Sequence, residues 1–450
     1  MLRWIFGGRE AQNSAEVRWN VNVTNLIRKS GVLRIGEEQP KNCFTELQVL
    51  KGHFDIVRFL VQIDDFRCAS AGDDGLVLIW NVETGERLRE LRGHSRQITA
   101  VAVLRRGDVR LVTASSDRTV SLWDPDTGNR LRTVRDLQSS VKCILALPTA
   151  GTLMSGGDQL CVWSDELRLR CVAETHRHAG ISSLIELPDD RVAAAVERRL
   201  VIYKLTAHGD ALTVVEVGCQ ADHRDHIRAL VNVNDRVFAS GSLAGEIILW
   251  DALDCSVLAY QRILWEEPES ATMAHEPVET SVRHLASNGN LVAAAVGSGV
   301  YVLSAATGAA LAYRKRAHDS DVLHTALLSD SELMSCSEDG SVRMWDIREL
   351  PLAAEPASAG FFGMWTSARS SKQTCAPSKK SPEPPAVRTL ELTGDLIGHS
   401  GAVQMFLAFP ENGLLTCSAD RQLILWKNGE RQSRLRGLAL FRKLEENGGL

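Results

Sequence analysis

The chain has 450 residues, 44% of them hydrophobic, and a formal net charge of −5 at pH 7. This length can bury a large core, and the nearly balanced charge excludes a strong general attraction to nucleic acid or to anionic membranes. No apolar run approaches the roughly 20 residues of a membrane-spanning helix, and the first residues lack the apolar stretch of a secretory signal. The ten cysteines are scattered without a Cys-x-x-Cys pair, so we expect a reduced intracellular chain.

Residues 1–43 form an N-terminal arm ahead of the repeats described below. Within it, apolar and polar residues alternate over Val17–Leu26, which is the pattern of a strand. The alternating apolar residues are Val17, Trp19, Val21, Val23 and Leu26. This segment either adds as a strand to the sheet edge of a partner or forms a frayed tail, and the sequence leaves both interpretations open.

An internal repeat follows the arm and is clearest in residues 69–94, 113–134 and 335–347. Each copy has a small residue, a tight turn with an acidic residue, an alternating apolar run, and then Trp followed by Asp or Asn, which predicts a β-hairpin. The marker aromatic recurs near every 40 residues, with one double gap before the last marker. The eight markers are Trp80, Trp123, Trp163, Tyr203, Trp250, Tyr301 (one residue early), Trp345 and Trp426.

This repeat resembles the WD40 family, whose propeller blades contain four strands and about 40–45 residues each. Eight markers therefore predict an all-β WD40 β-propeller, built from eight blades of four antiparallel strands over residues 44–430. No fourth strand is evident after Trp426, whereas Phe44–Leu50 looks like a fourth strand ahead of the first blade. We expect Phe44–Leu50 to complete the eighth blade and so close the ring.

The WD40 resemblance also implies a buried hydrogen-bonded chain of His, Ser or Thr, Asp and Trp within a blade. Four blades carry all four residues at matching spacings: His53, Ser70, Asp74 and Trp80; His94, Thr113, Asp117 and Trp123; His318, Ser335, Asp339 and Trp345; His399, Thr416, Asp420 and Trp426. Blades three to six depart from this pattern. In blade five, for example, Ala244 stands where Asp is expected. We expect apolar packing alone to hold those four blades.

About 40 residues, 349–388, are inserted between the third and fourth strands expected for blade seven. Their Pro, Ser and Lys content favours disorder, but four apolar residues followed by an arginine favour a docking motif, since such anchors dominate interface energies. These residues are Phe361, Phe362, Met364, Trp365 and Arg369. The alternative is that the apolar residues fold back onto the propeller.

The C-terminal tail, 431–450, contains an amphipathic helix predicted over Ser433–Glu446, with Leu438, Leu440, Phe441 and Leu444 on one face. Either the propeller or a partner covers this face. The arm, the insertion and the tail each carry net positive charge, whereas the remainder is acidic. Different surfaces of the protein are therefore expected to meet different partners.

Catalytic signatures are missing from the sequence. There is no phosphate-binding G-x-x-x-x-G-K-[ST] loop, no H-E-x-x-H and no G-x-S-x-G. His176 and His178 could contact a metal, but a lone pair of histidines without nearby Cys or carboxylate is a weak signal. We expect no catalytic, cofactor or metal site, and a scaffold rather than an enzyme.

A more specific resemblance rests on stretches such as HFDIVRFLVQIDDFRCASAGDDG, CSEDGSVRMWDIRE and LRGLALFRKLEENG. They are similar to the WD40 family whose members are the propeller subunits of complexes with two longin–DENN proteins. That resemblance covers nearly the whole chain. It implies as partners the chromosome 9 open reading frame 72 protein and the Smith–Magenis candidate region 8 protein. It also implies regulation of small Rab and Arf GTPases, a role in autophagy, and recruitment from the cytoplasm to lysosomes through a cationic amino-acid transporter.

Given that resemblance, we expect the DENN contact at the two ends of the chain. Its residues would be Val17, Trp19, Val21, Val23, Leu26, Leu438, Phe441 and Leu444. We expect lysosomal docking through Gly360–Arg369 of the insertion. The alternative is a generic WD40 adaptor that binds peptides in another complex, such as a ubiquitin ligase or a trafficking coat.

Overall fold

The computed structural model describes residues 44–135, 137–147, 151–173, 180–208, 211–263, 281–349 and 388–446, all within one compact unit, Pro40–Leu450. Over these residues the chain forms eight four-stranded sheets with antiparallel neighbours and one helix. The eight-bladed propeller predicted from the repeat is therefore confirmed. The arm (1–43) and residues 350–387 of the insertion lie outside the described residues, as do His176 and His178.

The first half of the ring follows chain order, after an initial strand β1 (Phe44–Lys51). Blade one comprises β2 (Val57–Gln62), β3 (Arg67–Gly72), β4 (Val77–Asn81) and β5 (Arg87–Leu91). Blade two comprises β6 (Ile98–Arg105), β7 (Val109–Ser115), β8 (Val120–Trp123) and β9 (Arg130–Val134). Blade three comprises β10 (Cys143–Leu147), β11 (Thr152–Gly156), β12 (Leu160–Ser164) and β13 (Leu169–Val172). Blade four comprises β14 (Ile181–Leu187), β15 (Arg191–Val196), β16 (Arg199–His208) and β17 (Ala211–Gln220).

The second half continues in the same order. Blade five comprises β18 (Ile227–Asn234), β19 (Val237–Ser242), β20 (Glu246–Asp251) and β21 (Val257–Arg262). Blade six comprises β22 (Val282–Ser287), β23 (Leu291–Val296), β24 (Gly299–Ser304) and β25 (Ala310–Arg314). Blade seven comprises β26 (Val322–Leu327), β27 (Glu332–Ser337), β28 (Ser341–Glu349) and β29 (Arg388–Ile397). Blade eight comprises β30 (Val403–Phe409), β31 (Gly413–Ser418), β32 (Gln422–Asn428) and β1.

Ring closure depends on β1, as the sequence predicted. This strand pairs antiparallel with β32, placing Leu50 opposite Leu423. The Leu50 side chain is buried in a cluster that also contains Val57 of blade one and Leu423 of blade eight. Since β2 of blade one also packs against β30 of blade eight, the first and last repeats share one core.

Apolar clusters lie between neighbouring blades, because the second and third strands of each sheet are buried on both faces. Blade six differs from the prediction in one detail. The register places Leu303 opposite Val292, the position that Trp80 occupies opposite Cys68 in blade one. Tyr301 is therefore not the marker residue of blade six; it lies two residues earlier on the same strand.

The helix α1 (Gly429–Glu446) begins directly after β32, four residues before the predicted start at Ser433 and inside the range assigned to the propeller. Its start is fixed by Asn428, whose Oδ1 accepts a hydrogen bond from the Arg431 backbone N–H at 3.1 Å, as an N-cap residue does. The Gly429 backbone N–H donates to Thr45 Oγ1 at 3.1 Å, which joins the helix to β1. The described part of the chain contains no helix long and apolar enough to cross a membrane.

We predict that removing β1 destabilises the ring, whereas removing only the arm does not. A variant lacking residues 1–51 loses the pairing with β32 and the buried Leu50, a side chain worth about 2–5 kcal/mol by itself. A variant lacking only residues 1–43 keeps both and serves as the matched control. Thermal unfolding and light scattering should show a lower melting temperature and more aggregation for the longer deletion. Equal melting of the two variants would contradict closure by β1.

Candidate functional site

The first predicted His–Ser–Asp–Trp set forms one continuous chain of hydrogen bonds. Trp80 Nε1 lies 2.8 Å from Ser70 Oγ, and Ser70 Oγ lies 2.8 Å from His53 Nε2. An indole N–H only donates, so Ser70 accepts from Trp80, and its hydroxyl proton is then available for His53 Nε2. In this arrangement His53 Nδ1–H donates to Asp74 Oδ2, 2.9 Å away. The histidine then donates through one ring nitrogen and accepts through the other, and the aspartate only accepts.

The structure brings together the other three predicted sets in the same order. His Nε2 lies 2.8 Å from the hydroxyl in each of His94–Thr113, His318–Ser335 and His399–Thr416. The corresponding tryptophans, Trp123, Trp345 and Trp426, donate to these hydroxyls over 2.8 Å, 2.9 Å and 3.0 Å. His Nδ1 lies 3.3 Å from Asp117, 3.0 Å from Asp339 and 2.9 Å from Asp420.

Burial and hydrogen bonding set the charge states within these chains. Burial lowers the pKa of His399, and the hydrogen bond and charge of Asp420 offset this only in part. Burial alone would raise the pKa of Asp339, but hydrogen bonds from His318 and Ser341 outweigh it and hold that pKa well below its usual range. These directions agree with the neutral histidine and ionised aspartate that the hydrogen bonds require.

Blade five corrects the expectation that apolar packing alone holds blades three to six. Its histidine, His223, contacts Ser240 Oγ through Nε2 at 2.6 Å, and Trp250 Nε1 donates to the same hydroxyl at 2.8 Å. The carboxylate comes from Glu246, two residues after Ala244, whose Oε2 lies 3.2 Å from His223 Nδ1. Glutamate has one methylene more than aspartate, and from the first position of β20 its carboxylate reaches the histidine.

Glu246 is fully buried, whereas the aspartates of the other chains are not. Its oxygens accept hydrogen bonds from the Arg224 backbone N–H (2.9 Å), Ser242 Oγ (3.1 Å) and the Tyr260 hydroxyl (2.7 Å). Burial would raise its pKa, but these bonds lower it. A sequence signal was present, since Glu246 is a carboxylate directly before the apolar run Ile247–Trp250 of the third strand.

The remaining blades keep less of the pattern. In blade three, Trp163 Nε1 donates to Ser155 Oγ at 2.9 Å, so the Trp–Ser half of the chain persists there. In blades four and six the register places Ala194 and Ala294 where Ser70 stands in blade one. Alanine offers no hydroxyl, so apolar packing holds those two blades, as the sequence predicted.

The predicted partner contacts fall mostly outside the described part of the structure. Leu438 lies on α1 with 53% of its surface exposed, whereas the side chains of Phe441 and Leu444 are not among those described. The arm residues Val17, Trp19, Val21, Val23 and Leu26 also lie outside the described residues, as do the insertion residues Phe361, Phe362, Met364, Trp365 and Arg369.

Around Leu438, the described residues define a surface on blade eight, here called the closure surface: the exposed side of β1 and the first turns of α1. Leu47 and Val49 of β1 are exposed, the former by 52%. Ion pairs from Arg436 to Glu46 and from Arg431 to Glu411 hold the helix against the blade. The closure surface thus presents apolar side chains on a fixed strand and helix.

Metal chemistry finds no support in the described residues, because they contain no group of three or more His, Cys, Asp or Glu side chains suited to hold a metal ion. The buried histidines His53, His223, His318 and His399 are engaged in the chains that link strands within blades. Eight four-stranded blades, several of them containing such a chain, define a WD40-type β-propeller, a class of protein-interaction scaffold that is typically non-enzymatic.

Within this class, the chain belongs to the WD repeat-containing protein 41 family. The β-propeller family model described as WDR41 matches residues 1–436. The chain is 48% identical over 467 residues to "WD repeat-containing protein 41" of Homo sapiens, covering 100% of this chain and 99% of that protein. Identity to the Mus musculus protein of the same name is 46% over 468 residues, with the same coverage. These matches confirm the family to which the sequence pointed.

Solved structures of lower similarity share the fold. The computationally designed Ika8 protein superimposes with a TM-score of 0.62 at 20% identity, covering 84% of this chain and 98% of its own. Sqt1 from Chaetomium thermophilum has a TM-score of 0.62 at 16% identity, covering 86% of this chain and 100% of its own. At such identities the likeness extends to the fold alone.

We predict that the carboxylates of complete chains matter more to stability than an aspartate outside them. Asp339→Ala removes the acceptor for His318 Nδ1–H and for the backbone N–H of Ser341, which should cost about 1–3 kcal/mol. Glu246→Ala should cost at least as much, because Glu246 is fully buried. Asp158→Ala, in blade three, is the matched control and should cost less.

Equilibrium unfolding in denaturant measures all three variants under the same conditions. Equally small losses for Asp339→Ala and Asp158→Ala would remove the support for a stabilising role of the chains. A loss at Asp339 but none at Glu246 would show that the glutamate does not substitute for aspartate energetically.

Proposed function

We propose that this propeller is the non-catalytic scaffold subunit of a complex with two longin–DENN proteins. These are the chromosome 9 open reading frame 72 protein and the Smith–Magenis candidate region 8 protein. The complex regulates small Rab and Arf GTPases and acts in autophagy and in the lysosomal response to amino acids. Membership of the WD repeat-containing protein 41 family supports the scaffold role, and the resemblance noted in the sequence supports the partners.

The closure surface is the observation that carries the proposal. The arm enters the ring at β1, and α1 leaves it from β32, which is the neighbouring strand. Both chain ends that the sequence singled out for partner contact therefore meet the propeller in one blade. Exposed Leu47, Val49 and Leu438 supply apolar area there, and the outer edge of β1 has no strand partner among the described residues. A DENN protein could pair with this edge or cover the helix.

The blade-seven insertion is proposed to recruit the complex from the cytoplasm to the lysosomal surface. It joins β28 to β29. These two strands pair along their length, from Ser341 opposite Ile397 to Glu349 opposite Arg388, so both ends of the insertion are anchored in one sheet. Its aromatic residues with Arg369 suit an apolar cavity with an acidic rim. A transporter of cationic amino acids must offer acidic groups to its substrates, and we propose such a transporter as the docking partner.

We predict that Phe441→Asp together with Leu444→Asp abolishes co-purification of the two DENN proteins. Aspartate on the apolar face of α1 would leave a buried, unpaired charge in the interface. Ser433→Asp adds a charge to an exposed position of the same helix and is the control that should retain both partners. The double variant without its partners should melt at the same temperature as the wild type, which would show that its ring is intact. A trimer that survives the double substitution would mean that α1 packs only on its own propeller.

We predict that changing Phe361, Phe362 and Trp365 to Ala abolishes recruitment to lysosomes upon amino-acid starvation, while both DENN proteins still co-purify. The loss of three aromatic anchors removes most of the apolar contact that the motif can offer. Lys379→Ala with Lys380→Ala, in the same insertion, is the control expected to localise normally. Fluorescence microscopy of each variant in cells lacking the endogenous protein makes the measurement. Normal recruitment of the triple variant would place lysosomal docking elsewhere.

A further inference from the structure

A cleft of about 550 Å³ lies between blades two and three, on the face of the ring that carries the β6–β7 and β12–β13 turns. Buried Leu104, Leu122 and Leu147 line it, and Leu131 of β9 adds a wall that is 48% exposed. The volume falls within the range of about 300–1,000 Å³ that is typical of ligand pockets. The cleft belongs to blades two and three, so it is separate from the closure surface on blade eight.

The charged side chains around this cleft are unevenly matched. Arg110 is paired with Asp108 at 2.9 Å, and Glu166 is paired with Arg168 at 3.0 Å. Arg106 and Arg132, both exposed at the rim, have no hydrogen bond or ion pair to the described residues. Among the carboxylates of the lining, only Asp165 likewise has no hydrogen bond or ion pair to the described residues. The unmatched charge is therefore positive on balance, in a ring whose net charge is negative.

A buried polar atom in the lining also lacks a partner. Thr152 begins β11 with only 9% of its surface exposed, and its Oγ1 has no hydrogen bond to the described residues. An unsatisfied buried hydroxyl is destabilising, and such groups in native proteins call for an explanation. A backbone or carboxylate oxygen placed in the cleft would satisfy it.

We propose that this cleft binds an extended segment of a partner protein in which leucine-like side chains alternate with acidic ones. The apolar side chains would cover Leu104, Leu122 and Leu131, the carboxylates would pair with Arg106 and Arg132, and an oxygen of the segment would accept a hydrogen bond from Thr152. Bidentate arginine–carboxylate pairs at a partly desolvated rim favour Asp and Glu over other polar residues. The site is independent of the DENN contact and adds a docking surface to the scaffold.

The test uses the full-length protein and a fluorescein-labelled peptide of sequence Leu-Glu-Leu-Asp-Leu, with Leu-Lys-Leu-Lys-Leu as the opposite-charge probe. Fluorescence anisotropy should show binding of the acidic peptide only, weakening as salt rises. Arg106→Glu with Arg132→Glu should reduce the affinity by about tenfold or more, and so should Leu131→Asp. The matched control reverses two other exposed arginines, Arg228→Glu with Arg314→Glu, and should bind as the wild type does.

Thr152→Val separates a ligand-binding role from a structural one. If the hydroxyl serves a ligand, the variant binds the acidic peptide several-fold more weakly, and its melting temperature does not fall, because no protein contact has been lost. Failure of the wild type to bind, equal binding of the lysine peptide, or unchanged binding by the Arg106/Arg132 variant would overturn the proposal. If the Arg106/Arg132 variant without peptide melts at a lower temperature than the wild type, the cleft is occupied by a segment of this chain. That result would also overturn the proposal.

Discussion

The pairing of β1 with β32 is the constraint on which the rest of the propeller depends. Every blade buries both faces of its sheet against its two neighbours, so a ring left open would expose one face of blade one and one of blade eight. The chain prevents this by placing the strand from its beginning at the outer edge of the last sheet. Leu50 then enters the same cluster as Val57 and Leu423, and the two termini of the ring become one packing unit.

This closure also concentrates the appendages. The arm and the helix are far apart in sequence, yet one leads into β1 and the other leaves β32. The ion pair between Glu46 of β1 and Arg436 of α1 spans 390 positions of sequence and joins this strand to the helix. Exposed ion pairs of this kind contribute little to stability, so this one orients α1 rather than holding the blade together. A scaffold that fixes its helix in this way presents an oriented surface to a partner and loses less entropy on binding.

The sequence predicted the parts of the fold that repeat. Markers such as Trp80 and Trp345 recur with their partners at constant spacing, so the number of blades could be derived from them. The WD40 resemblance then implied the four-stranded blades and the four complete hydrogen-bonded chains. Three details were missed: the carboxylate of blade five, the marker residue of blade six and the start of α1. In each case the residues that decide the structure depart from the spacing of the repeat. Glu246 replaces an aspartate two residues away by means of a longer side chain, and the spacing rule did not allow for that.

The other two misses have local causes. Tyr301 was taken as a marker because it is the aromatic residue of its strand, whereas the pairing register assigns that position to Leu303. The helix starts at Gly429, a poor helix former, because Asn428 caps it and Thr45 of β1 accepts its first N–H. The second of these contacts exists only after the ring has closed. The cleft between blades two and three could not be predicted from the sequence either, because it forms where two turns that are not adjacent in the chain meet.

Buried histidines contribute to an acid limit on the stability of the ring. His284 and His324 stack between the inner strands of blades six and seven, with ring centroids 4.1 Å apart, and the His324 ring meets Phe406 of blade eight edge-on. Burial lowers the pKa of His284 to about 4, and it lowers the pKa of His324 well below its usual range. A histidine whose pKa is lower in the folded than in the unfolded chain stabilises the fold fully above about pH 6.5. That contribution falls as the pH drops toward the folded pKa, because only the unfolded chain then gains the proton.

The carboxylates of the hydrogen-bonded chains act in the same direction at lower pH. Hydrogen bonds outweigh burial and depress the pKa values of Asp74, Asp420 and Glu246, so their contribution is complete above the unfolded value of about 4 and is lost below it. Neutral histidines and charged carboxylates are therefore both present only above about pH 6.5. The interactions that link strands within five of the blades thus also contribute to an acid limit on the stability of the propeller.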